Sequence, residues 1–168
     1  GMVSRVTLVP DQELGVVVLT NQEVGAAFNA ITYSVLDAML AAPEHDWVDA
    51  YAKAVAKGRE KADAQWDKHV AVRTLGTSAS LPLSGYAARY RDRWYGDVVI
   101  EQDGESLRLR FARTAMLVGT LEHWQHDTFI VRWDDRALNA DAFVNFSLDV
   151  DGQVRSATMQ AVSSLTDF

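Results

Sequence analysis

The chain has 168 residues, 48% of them hydrophobic and 23% charged, with no cysteine and a formal net charge of −7. That length and composition suit one globular domain, or one domain with an appendage, able to bury a core without covalent staples. The missing cysteine excludes disulfides, thiol nucleophiles, cysteine-held zinc and iron–sulfur clusters, and the acidic balance argues against nucleic acid, which requires a basic footprint.

No apolar run reaches the roughly 18–20 residues of a membrane span, and no secretory leader is visible. Gly1 before Met2 reads as an added residue, so the natural start is expected at Met2 or further upstream. Val3 to Val9 alternates weakly and ends at Pro10, residues 11–15 are turn material, and Val16 to Leu19 is a continuous apolar strand. This predicts a β-hairpin whose second strand expects cover on both faces.

A helix should follow, with Asn21 as its N-cap. Phe28, Ile31, Val35, Leu36, Met39 and Leu40 recur at spacings of three and four and predict one apolar stripe of an amphipathic helix. Pro43 lies beyond its end. A second helix is predicted from near Asp46, with Asp49 as a capping partner, and it fades between His69 and Arg73. Trp47, Tyr51, Val55, Ala62 and Trp66 share roughly one face. The basic residues around Lys53, Lys57, Arg59, Lys61 and Lys68 fall mostly elsewhere; they read as a solvated face, with a docking surface as the alternative.

Residues 74–85 (TLGTSASLPLSG) are a linker by composition. After them the hydrophobic period switches to two. Strands are predicted near 86–91, 97–102, 106–111, 117–121, 128–133, 142–150 and 154–161. Asp103-Gly104 and Asp151-Gly152 are strong hairpin turns, and 134–136 is a weaker one. Seven sequential strands with short loops suit an up-and-down meander that curls to hide its edges.

Chemistry-bearing clusters are few. Glu122, His123, His126 and Asp127 could tempt a metal assignment. On a strand, however, positions 123 and 126 point to opposite faces, so polar residues at a hairpin rim fit better, and no metal or other cofactor is expected. Trp94, Tyr95, Trp124 and Trp133 are candidates to line a small-ligand pocket, with a plain core role as the alternative. Arg108 and Arg110 lie opposite the apolar face of their strand and should point outward. There is no G-x-S-x-G elbow, no glycine-rich phosphate loop and no ordered Ser, His and Asp set.

The segment VTLVPDQELGVVVLTNQEVGAAFNAITYSVLDAML resembles the C-terminal strands and helix of a β-lactamase-related (penicillin-binding-protein-like) serine hydrolase. Four later blocks, PLSGYAARYRDRWYGDVVIEQDGESLRLRF, LVGTLEHWQHDTFIVRW, ADAFVNFSLDVDGQV and AVSSLTDF, resemble the uncharacterised β-barrel domain that often follows such a catalytic domain. That family works through Ser-x-x-Lys, Tyr-x-Asn and a Lys- or His-x-Gly strand. None of the three occurs in this chain, so no catalytic residue carries over, and the barrel domain of the family tends to run on past Phe168.

The expectation is therefore an α+β protein: an N-terminal β-hairpin and two helices, then an antiparallel, up-and-down, lipocalin-like β-barrel. The expected divisions are a hydrolase-like remnant at 1–45, a helix at 46–73, a linker at 74–85 and a barrel domain at 86–168. The expected role is a non-catalytic accessory or interaction domain, with a small-ligand-binding barrel as the alternative. The expected partners are a hydrolase catalytic domain in cis or in trans and a second copy of the chain, paired through the N-terminal segment. The resemblance also suggests an exported or periplasmic protein.

Overall fold

The computed structural model of the chain describes residues 2–163; the end of the predicted barrel domain, 164–168, lies outside the described residues. The fold is α+β and divides into two compact units, with the boundary after Asp63.

In the first unit, β1 (Val3–Val9) and β2 (Leu14–Thr20) form an antiparallel hairpin. A 3-10 turn over Pro10–Gln12 connects them. Helix α1 (Gly25–Met39) packs on one face of this hairpin, over Val16 and Val18. Arg5, on that face, donates to Asn29 Oδ1 and lies 5.1 Å from the centre of the Tyr33 ring. The other face is bare: Leu8, Val17 and Leu19 are exposed, Leu19 to 76%. The predicted cover on both sides of β2 is thus present on one side only.

One helix expectation is corrected. Asn21 does not cap α1. The residue before the helix is Val24, extended and without a side-chain cap, so the first turn starts three residues later than expected. The apolar stripe of the helix is covered only in part. Ala30 and Thr32 are buried and Phe28 and Leu36 half-buried, while Ile31, Val35, Met39 and Leu40 are exposed.

Helix α2 (Trp47–Val72) begins as expected: Asp46 Oδ1 accepts the Asp49 backbone N–H at 2.9 Å. Trp47 packs against Tyr33 and Tyr51, with ring centres 4.9 and 6.1 Å apart, and its indole N–H reaches Asp37 at 2.6 Å. The middle of α2 is exposed, and the Lys53–Asp49 pair on it is solvated. No described helix is long and apolar enough to cross a membrane.

The second unit is a seven-stranded antiparallel sheet in strict sequence order. Its strands are β3 (Ala88–Asp92), β4 (Gly96–Asp103), β5 (Ser106–Phe111), β6 (Val118–Gln125), β7 (Thr128–Trp133), β8 (Ala142–Leu148) and β9 (Val154–Ala161). Gly104 and Gly152 carry positive φ values of 58° and 75°, as the two predicted tight turns require. The sheet curls into a nearly closed barrel around a core that includes Ile100, Leu107, Leu109, Phe129, Val131 and Trp133. These are the inward positions of alternating strands. Arg108 and Arg110 point outward, to Asp134 and Glu101. Among the described residues no strand pairing joins β3 to β9, which leaves a seam along the barrel wall.

Residues 74–85 are more ordered than their composition suggests. Ala79, Leu81 and Leu83 pack against the barrel core. Ser80 donates through its backbone N–H and its hydroxyl to the two oxygens of Asp127, at 2.9 and 2.8 Å. On the outside of the sheet, the last turns of α2 are held by a second cluster. Trp66, Trp124 and Phe143 meet with ring centres 5.4 and 5.2 Å apart, and the Arg73 guanidinium stacks 4.2 Å above the Trp124 ring.

Candidate functional site

The seam is where the barrel has room. Between β3 and β9 lies a cavity of about 290 Å³. Its floor is apolar because β4 and β5 turn Val98, Ile100, Leu109 and Phe111 inward. Tyr90 forms one wall, and Val144, Ala157 and Met159 form the other. The Tyr90 hydroxyl donates to the Tyr86 carbonyl at 2.9 Å, which holds the ring in place. Arg91, Asp92 and Thr158 add polar side chains to the lining.

The β3–β4 turn shapes one end of this cavity. Asp92 Oδ1 accepts the backbone N–H groups of Trp94 and Tyr95 at 2.7 and 2.8 Å, closing a three-residue loop. Those two hydrogen bonds hold the Asp92 carboxyl below its usual range. Gly96 ends the turn at φ +78°, a conformation that side chains resist. The absence of a side chain there also matters for space: Arg113 Nε lies 2.9 Å from where a Cβ would be. Tyr95 folds back edge-on against Phe111, with ring centres 5.4 Å apart.

A second pocket of about 330 Å³ adjoins the first and shares Arg91 and Asp92 with it. Arg93, Gly96, Asp97 and Arg113 line the rest. Asp97 is engaged by Arg91 at 2.7 Å and Arg89 at 2.9 Å, and these two guanidinium groups pull its carboxyl down to about 2. Arg93 and Arg113 make no ion pair among the described residues.

The four aromatic candidates do not form one pocket. Tyr95 lines the seam cavity. Trp94 stands at the tip of the same turn, 84% exposed. Trp133 is buried in the core, and its indole N–H donates to the Ala140 carbonyl. Trp124 sits on the outer face with Trp66, where the alternation running from Leu121 and His123 places it. Sequence reading missed Tyr90, Ile100, Leu109, Met159 and Arg113. Their convergence depends on the first and last strands approaching each other, and no local periodicity records that.

The Glu122, His123, His126 and Asp127 cluster serves the β6–β7 turn. His123 Nε2 bonds the His126 carbonyl at 2.8 Å, and Asp127 accepts from Ser80 and the Tyr86 hydroxyl. Among the described residues, no group of three or more metal-ligating side chains converges. Ser80 does touch a carboxylate, but Asp127 is already committed to three donors and is held ionised. A carboxylate in that state is a weak proton acceptor.

A family model described as a domain of unknown function, DUF3471, matches residues 72–168. No curated protein and no solved structure matches the chain.

Proposed function

The chain belongs to the DUF3471 family, and we propose that it is a non-catalytic accessory module of a β-lactamase-related serine hydrolase, attached in cis or docked in trans through its N-terminal unit. The observation that carries this reading is the apolar surface left bare there. Val17 and Leu19 on the outer hairpin face, and Ile31 and Met39 on α1, are all exposed. Val17 and Leu19 stand with Val6 and Leu8 on one uncovered hairpin face, and an apolar face of that kind marks an interaction site. A free two-stranded sheet is also too small to be stable by itself and calls for a neighbour. The resemblance of residues 6–40 to the end of a hydrolase domain names the class of neighbour. The missing Ser-x-x-Lys, Tyr-x-Asn and Lys- or His-x-Gly motifs support the non-catalytic part.

Two measurements test it. The purified chain is expected to give no turnover of a chromogenic β-lactam or simple ester and no labelling by a fluorophosphonate probe. Stoichiometric labelling of one serine would overturn the non-catalytic reading. The chain is expected to co-elute with the catalytic domain of a β-lactamase-related hydrolase encoded beside it, and Val17→Asp with Leu19→Asp to abolish co-elution. In the absence of that domain, the same surface is proposed to pair two copies of the chain.

The seam cavity favours a second reading, that the barrel holds a small ligand. Its volume lies just under the usual range for ligand pockets, about 300–1,000 Å³. Its apolar lining with a few polar groups has the make-up such pockets share.

A further inference from the structure

We infer that the seam cavity and the arginine pocket beside it form one site for a medium-chain, singly charged anionic amphiphile. The apolar tail would lie between β3 and β9, and the carboxylate or similar oxyanion head at Arg93 and Arg113. The inference rests on the small-ligand reading of the barrel and adds the chemical class of the ligand.

Four observations combine. The two pockets are neighbours that share Arg91 and Asp92, so one molecule can reach both. The seam offers a way in, because among the described residues no strand pairing joins β3 to β9. The cavity of about 290 Å³ is small for a ligand pocket and takes a short tail rather than a long one. Its floor of Val98, Ile100, Leu109 and Phe111 offers that tail no polar partner.

The electrostatics decide the head group. The whole chain carries a net charge of −7, yet the second pocket sets three arginines against two aspartates. Both aspartates are already occupied, Asp97 by Arg91 and Arg89 and Asp92 by the two N–H groups of its turn. Arg93 and Arg113 are exposed and keep their donors for something else. Gly96 leaves the space that Arg113 fills. A planar guanidinium fork matches a carboxylate. A cationic head would be repelled, and a neutral one would leave both arginines unused.

Titration calorimetry on the full chain tests this with three probes below their micelle concentrations: sodium decanoate, decanol and decyltrimethylammonium. Decanoate is expected to bind one to one and about tenfold more tightly than decanol, as one charge-assisted contact allows. The ammonium probe should bind weakest. Arg93→Gln combined with Arg113→Gln is expected to lower decanoate to the level of decanol while leaving decanol binding unchanged. Ala157→Leu, which narrows the cavity, should weaken decanoate and decanol alike, with circular dichroism verifying the fold. Equal binding of decanoate and decanol to the unmodified chain would sink the anionic head and leave the ligand barrel standing. Absence of binding by all three would sink the barrel reading itself.

Discussion

Tyr86 is completely buried, so its hydroxyl has to be satisfied inside the protein. It donates to Asp127 and accepts the Leu81 backbone N–H at 3.1 Å, while Ser80 donates to the same carboxylate. One carboxylate thereby ties residues 80–86 to the β6–β7 turn. Burial, and then the hydrogen bond to Asp127, pushes the phenol up to about 12. Its folded value thus exceeds the unfolded value of about 10. The resulting stabilisation is complete below pH 10 and disappears as the pH rises towards 12. Asp127 has the opposite sense. Burial pushes its carboxyl up, but hydrogen bonds from Tyr86 and Ser80 outweigh this and hold it low. Its contribution is present above the unfolded carboxylate value, about 4, and is lost as pH falls through the folded one. Tyr86→Phe is expected to cost about 1–3 kcal/mol at pH 7 by leaving buried partners unmatched. It should also remove the Tyr86 share of the alkaline loss; Tyr90, raised by burial, keeps its own. Urea unfolding of both proteins at pH 7, 10 and 12 measures this. Parallel loss between pH 10 and 12 would show that the phenol does not carry it.

At the scale of elements, the close approach of β6 to β7 depends on Gly119. It lies opposite Trp133, and a Cβ there would sit 2.4 Å from the Arg132 carbonyl oxygen. The obstacle is backbone, which cannot swing aside as a side chain can. Gly119→Ala is therefore expected to spread the two strands and to destabilise the barrel by about 1–3 kcal/mol, read as a lower melting temperature; an unchanged melt would mean that β6 shifts without cost. Nothing in the local pattern marks this glycine, since its neighbours read as an ordinary strand. By contrast, Asp103-Gly104 and Asp151-Gly152 are visible in sequence because the turn conformation is decided by the dipeptide itself. The strands are visible for the same local reason, an alternation that repeats every two residues. What fails is what depends on a partner. The large apolar stripe of α1 has helical period and correctly marks a helix, but periodicity alone does not say which face meets the hairpin. Residues 74–85 have the composition of a linker and yet pack on the core, because Leu81 and Leu83 lie within reach of the barrel. The seam site is the extreme case: its walls are the first and last strands of the barrel, 62 to 73 residues apart in the chain by the numbering of their ends.

The whole molecule carries a mismatch between its two units. The barrel buries its own apolar faces, with an apolar core inside and the Trp66, Trp124 and Phe143 cluster outside. The N-terminal hairpin does not. Val6, Leu8, Val17 and Leu19 share an uncovered face, and Met39 on α1 is 63% exposed. Apolar patches beyond a few hundred Å² are rarely left open on a monomer, and the two-stranded sheet ends in free edges that invite pairing with another chain. A twofold dimer relieves both at once, because one self-complementary surface covers itself on the mate. We therefore expect the purified full-length chain to be a dimer at micromolar concentration. A chain lacking residues 1–45 should be a monomer whose barrel still folds, since the barrel core draws no residue from that stretch. Light scattering with circular dichroism on both forms decides the matter. A monomeric full-length chain would sink the pairing. A truncated chain that still dimerises would move the interface elsewhere, to the seam edges of β3 and β9 or to the exposed length of α2.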